Sequence, residues 1–210
     1  MLGLTQQELR ILKPLTTPAK IQNFLDTLAI NFERGGDTCM SPRRVLQTKK
    51  AHCMEGAMLA ALILKLHGKK PLIMDLKSGR GDDDHVVALY RSRGYWGAIS
   101  KTNHAVLRYR EPVYKTLREL ALSYFHEYFL NNGRKTLRSF SEPLDLSRFD
   151  KWGWITSEKN LWYIPRYLDS IKHYPFAPRP ILKKLRKADA IEIAAGKLVE
   201  WSRRGKRLFK

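Results

Sequence analysis

The chain has 210 residues, 43% of them hydrophobic, with five tryptophans, two cysteines and a formal net charge of +19. That length and apolar content suit one globular domain, or one domain with a modest extension, and exclude a disordered chain. Cys39 and Cys53 alone exclude a disulfide framework, and the longest apolar stretch, about 57–66, is far short of a membrane span. No basic segment followed by an apolar run opens the sequence, so a soluble, cytoplasmic protein is the expectation.

The string Thr5-Gln6-Gln7-Glu8 predicts a helix start in which hydroxyl and carboxylate satisfy orphan amides. Thr17 before Pro18 predicts a second helix, with Ile21, Phe24, Leu25 and Leu28 on its core face and Gly35-Gly36 as its end. Ser41-Pro42 opens a short helix through Leu46. The string AHCMEGAMLAALILKLHG predicts a helix over about 52–66, stopped by Gly68. Beyond its first turn that helix is apolar on nearly every side, which makes it the buried central helix of the fold.

PLIMDL predicts a buried strand over 71–76, and HVVALYR another over 85–91 with two apolar faces. Ser92-Arg93-Gly94 turns the second into YWGAIS as a hairpin. Farther on, Leu117, Leu120, Ala121, Tyr124, Phe125, Tyr128 and Phe129 form a stripe at helical spacing, ended by Asn131-Asn132-Gly133. A loop-rich stretch with Trp152, Trp154 and Trp162 leads to Pro175, Pro178 and Pro180. The basic run Lys183, Lys184, Arg186 and Lys187 precedes an amphipathic helix bearing Ile191, Ala194, Ala195, Leu198 and Trp201. Arg203, Arg204, Lys206, Arg207 and Lys210 then make a basic tail. The expected division is a core over 1–145 and an aromatic-rich, basic helical extension over 146–210.

Two residues stand out for chemistry. Cys53 falls in the first turn of the central helix, where free amides and the positive dipole end favour thiolate, the nucleophilic form. The competing reading is a small buried apolar residue, the usual fate of a free cysteine. His85 heads a strand with no other polar residue before Tyr90, and strand ends are where sheets open to clefts. Imidazole is the usual base for such a nucleophile. His52 adjoins Cys53 in sequence and is expected to point elsewhere, and His67, His126 and His173 carry no such context. The triplet Asp82-Asp83-Asp84 lacks the alternating spacing of a calcium loop, so a solvated acidic loop, with no metal, is the expectation.

These motifs in this order resemble the transglutaminase-like superfamily: a cysteine opening a buried helix (AHCMEGA), a histidine opening a strand (DDHVVA), and a hairpin returning through Trp96 to WGAISKT. The resemblance covers about 21–102. It implies a papain-like α+β fold, a buried central helix on an antiparallel sheet, and a Cys-His-Asp triad acting on a peptide or protein amide without a cofactor. The family aspartate falls on Ser100, which accepts a hydrogen bond but lacks the charge that stabilises an imidazolium. Asn103 is the alternative orienting group, as asparagine is in papain-like enzymes, and Asp84 a further one. Gln47, six residues before Cys53, matches the spacing of the papain-like oxyanion glutamine. Register decides the orienting group: pairing Ser92 with Tyr95 puts Ser100 on the face of His85, whereas pairing Arg91 with Tyr95 puts Lys101 there.

Three readings follow: a thiol hydrolase or acyltransferase, a catalytically impaired binding or scaffold domain, and a basic nucleic-acid-binding protein. The charge and the basic tail make an anionic partner a candidate, and the aromatics near Trp152 with Lys151, Lys159 and Arg166 allow a stacking platform.

Overall fold

A computed structural model describes residues 2–209. Its elements in chain order begin with α1 (Gln6–Leu12), α2 (Pro18–Thr27), β1 (Ala29–Ile30), α3 (Pro42–Thr48), β2 (Lys50–Ala51) and α4 (Cys53–Leu66). Then come β3 (Leu72–Ser78), β4 (His85–Ser92), β5 (Tyr95–Ile99), β6 (Arg110–Tyr114), α5 (Leu117–Leu122), β7 (Leu137–Ser141) and β8 (Leu144–Asp145). A 3-10 helix (Leu146–Trp152), α6 (Tyr163–Ser170), β9 (His173–Pro175), α7 (Arg179–Lys183) and α8 (Ala190–Gly196) complete it.

The architecture is mixed α and β. Strands pair antiparallel in the order β6-β5-β4-β3-β7-β9, with β8 also on β3, and β1 and β2 form a small parallel ladder. Helix α4 is buried from Met54 to Leu64 and packs on β4, so an element apolar all round has found neighbours all round. On its side of the sheet lie Ile73, Val86, Ala88 and Ile99, while Met74, Val87, Leu89 and Ala98 face a second core built on Leu120, Tyr124 and Tyr128. The alternation follows from the period of two in a strand.

Helix α4 has no room for side chains where it crosses the residues after β5. A Cβ on Gly56 would stand 2.3 Å from the Cβ of Lys101. Lys101 itself is buried, and its Nζ donates to the Leu25 and Leu28 carbonyls at 2.9 and 2.6 Å. It thereby places a cation on carbonyls at the C-terminal end of α2, a favourable position for positive charge, and shares the Leu25 carbonyl with the Leu28 amide. Burial pulls its pKa down to about 8.

Three helix ends need correction. Helix α2 stops at Thr27, short of Gly35-Gly36, because Leu28 is extended (ψ 139°) and leads into β1. The stripe from Leu117 is helical only to Leu122; the Ser123 hydroxyl donates to the Leu120 carbonyl at 2.7 Å, competing with the helix ladder, and the chain continues in turns. The amphipathic segment from Ile191 stops at Gly196, after which Val199 bridges His104 instead of continuing the helix. Packing also runs across the boundary expected at 145. Phe149, Trp154, Leu161, Ile164 and Leu168 share the core of α4, and β9 joins the sheet on β7. Lys210 of the expected basic tail lies outside the described residues. No helix among the described residues is long and apolar enough to cross a membrane.

Candidate active site

Cys53 is the first residue of α4, and its thiol is half-buried in the wall of a cavity of about 350 Å³. The cavity brings together His52, Cys53, His85 and the Asp82–Asp84 loop, with Tyr128, Phe129 and Gly196 across from them. The Cys53 sulfur lies 3.9 Å from the Asp84 carbonyl oxygen, directly before His85.

The hairpin register decides which residue shares the face of His85. Ser92 pairs with Tyr95 and Ala88 with Ile99, so Ser100 follows on the face of His85. The register comes from a two-residue turn in which Arg93 (φ 46°) and Gly94 (φ 90°) are both left-handed, the geometry that matches strand twist. The Ser100 hydroxyl lies 2.8 Å from His85 Nε2 and donates to the Leu107 carbonyl, also at 2.8 Å. With its proton committed to Leu107, Ser100 accepts from Nε2–H, which leaves Nδ1 as the ring nitrogen able to exchange a proton with the thiol. Ser100 is itself gripped at the backbone. Its N–H donates to Gln22 Oε1 at 3.0 Å, and Gln22 Nε2 donates to its carbonyl at 2.9 Å.

The other expected groups are engaged differently: Asn103 and Asp84 line the same cavity, but their polar groups are held by other partners, and Gln47 stands outside it. Asn103 is committed to the chain near the C-terminus, donating to the Trp201 carbonyl and accepting from the Trp201 amide at 2.9 and 2.7 Å. The Asp84 carboxylate accepts from the Ser78 amide at 2.7 Å and pairs with Lys77 Nζ at 2.7 Å, so it does not stand behind His85. Gln47 is exposed at the end of α3 and is no part of the cavity wall, because α3 ends there and Lys49, in a left-handed conformation, turns the chain into β2.

His52 and Glu55 belong to the site although the sequence reading passed them over. His52 is not helical: it is the N-cap of α4 with extended backbone (φ −95°, ψ −175°), so helical periodicity does not govern where its ring points. Its Nε2 lies 3.0 Å from the Thr38 carbonyl, 3.4 Å from Glu55 Oε1 and 3.7 Å from Glu33 Oε1. Glu55 is fully buried and accepts hydrogen bonds from Thr38 Oγ1 (2.8 Å), the Met40 amide (2.9 Å), Asn31 Nδ2 (3.1 Å) and the His52 amide (3.1 Å). The signal available in the sequence was the H-x-x-E spacing at a helix start, a capping-box pattern with histidine in the place of serine.

The electrostatics are those of a thiolate site. Burial works against the Cys53 thiolate, but hydrogen bonds and charge from His52 and His85 outweigh it and bring the pKa down to about 5. Burial likewise opposes a charged His52, and its contacts with Cys53 and Glu55 lift it to about 11. Glu55 is drawn down to about 2 against its own burial, chiefly by His52 and the Met40 amide. Cys39 shows the opposite behaviour: burial and the nearby Glu55 charge push its thiol up to about 12.

One cluster has metal-ligand character. Carboxylate oxygens of Asp75, Asp84 and Asp169 lie within 4.8 Å of one another. Lys77 Nζ already sits between Asp84 and Asp169 and supplies countercharge there, and His173 Nε2 lies 3.1 Å from Asp75.

Fold and site together define a mixed α and β protein with a thiol–imidazole pair in a cleft at the head of its buried helix. No family model matches the chain, and no curated protein matches it.

Proposed function

We propose that the chain is a transglutaminase-like cysteine hydrolase or acyltransferase with a papain-like core, acting on a peptide or protein amide. The observation that carries the reading is that Cys53, at the head of α4, lines one cavity with His52 and with His85, whose ring is hydrogen-bonded to Ser100. In this scheme the Cys53 thiolate attacks the amide carbonyl carbon. The developing oxyanion takes hydrogen bonds from the first-turn amides of α4, which an α-helix leaves without internal partners. His85 passes a proton to the leaving nitrogen, the C–N bond breaks and a thioester remains. Water or a second amine then attacks the thioester and frees the thiol.

A second reading has one specific observation behind it. Ser100 is neutral where a carboxylate would stabilise an imidazolium, as in a domain that keeps the architecture for binding or scaffolding. Iodoacetamide labelling as a function of pH separates the two. The first reading expects rapid alkylation of Cys53 at pH 6, abolished by Cys53→Ala and unchanged by Cys39→Ser. Labelling of Cys53 no faster than that of an ordinary thiol at that pH would remove the enzyme reading.

A further inference from the structure

We infer that residues 196–209 form a docking surface for an anionic lipid membrane. This does not depend on the thiol chemistry. Residues 200–208 fold back on themselves: Leu208 N donates to the Glu200 carbonyl at 2.7 Å, Ser202 N donates to the Lys206 carbonyl at 2.9 Å, and Trp201 bridges Arg207. At the tip stand Arg203, Arg204 and Lys206, all exposed, and no ion pair holds them among the described residues. The one acid of the segment, Glu200, is buried and already taken by Arg108 and Arg207 at 2.5 Å each. The tip therefore presents uncompensated positive charge.

The base of this fold-back is apolar and uncovered. Leu198, Leu208 and Phe209 are 51%, 49% and 58% exposed, among the large hydrophobic side chains left open to solvent. Leu198 and Phe209 line one depression of about 370 Å³ with Ala105 and Val199, flanked by Arg108 and Arg207. Cations with aliphatic side chains beside them suit a bilayer surface, where anionic headgroups meet the first and acyl chains the second. Nucleic acid would match the charge and could stack on Phe209, but the exposed Leu198 and Leu208 beside that ring have no counterpart on a base-and-phosphate surface, whereas acyl chains cover all three. Gly196, at the start of the segment, also lines the Cys53 cavity, so a docked chain would hold its cleft beside the lipid surface.

The test is co-sedimentation of the full chain with vesicles of phosphatidylcholine alone or with roughly one third phosphatidylserine. The expected result is partition onto the anionic vesicles at low salt and release as salt rises. Leu208→Ser with Phe209→Ser, which leaves charge unchanged, should weaken partition about tenfold or more. Arg203→Gln, Arg204→Gln and Lys206→Gln together should abolish the preference for phosphatidylserine. Phe209→Trp keeps an apolar ring, and its emission should shift to the blue on anionic vesicles. Equal partition onto both vesicles, none onto either, or an unshifted Phe209→Trp emission overturns the proposal. So does a serine pair that partitions like the parent, and a DNA duplex that strips the chain from vesicles would assign the surface to nucleic acid instead.

Discussion

Ser100 and Glu55 stand beside different imidazoles: the Ser100 hydroxyl lies 2.8 Å from His85 Nε2, and Glu55 Oε1 lies 3.4 Å from His52 Nε2. The charge balance predicts a stability profile. Cys53 goes from about 9 as a free thiol to about 5 in the fold, so it adds stability as pH rises through that range. His52 goes from 6.5 to about 11, so its contribution is full below 6.5 and is lost as pH rises toward 11. Between pH 6.5 and 9 the two slopes cancel. Stability of the parent relative to a variant lacking both groups (Cys53→Ala with His52→Gln) should thus climb from about pH 5 to 6.5, run flat to 9, and fall above it; urea titrations across pH check this. Glu55→Gln should move the midpoint of Cys53 alkylation to higher pH, because the charge that holds His52 protonated is gone. An unmoved midpoint would leave Glu55 a purely structural cap. Cys53 and His85 were legible because each opens a periodic segment, and Ser100 because hairpin alternation allows only two registers. His52 and Glu55 escape helical periodicity because His52 is an N-cap with extended backbone, and only the H-x-x-E capping spacing points to them.

The close crossing of α4 over the residues after β5 fixes how near the thiol comes to the imidazole strand. Gly56→Ala puts a methyl group against Lys101 Cβ, so it should cost about 1–3 kcal/mol and slow Cys53 alkylation. Denaturant midpoints measure the first effect and labelling rates the second. Lys101→Met removes the cation that caps α2 and should loosen the Gln22 grip on Ser100, seen as faster amide exchange at Ser100. At this scale capping signals and periodicity served well: Thr5, Thr17 and Ser41 each cap the helix they announce. Besides the end of α2, the failures were α5 and α8, where Ser123 and Gly196 end an apolar stripe that continues in the sequence. A stripe records which residues face a core; it does not record whether a helix or a series of turns brings them there.

The molecule is sealed by residues far along the chain. Trp154 is fully buried in the core of α4, so Trp154→Ala should lower stability by about 3–5 kcal/mol. Calorimetry should show one transition moved as a whole; a separate early transition would restore the division expected at 145. Loop-rich, proline-punctuated sequence reads as an appendage, and the packing of Phe149, Trp154 and Leu161 against the core of α4 is a long-range feature that no local pattern records. The position of β3 has a further consequence for a chain emerging from a ribosome. One edge of β3 is covered by β4 within a few residues, but the other waits for β7 and β8, about 60 residues later, because such pairing pays its loop-closure cost first. During that interval Ile73, Met74 and Leu76 stand on an open, sticky strand border, the sort of surface on which nascent chains associate and chaperones bind.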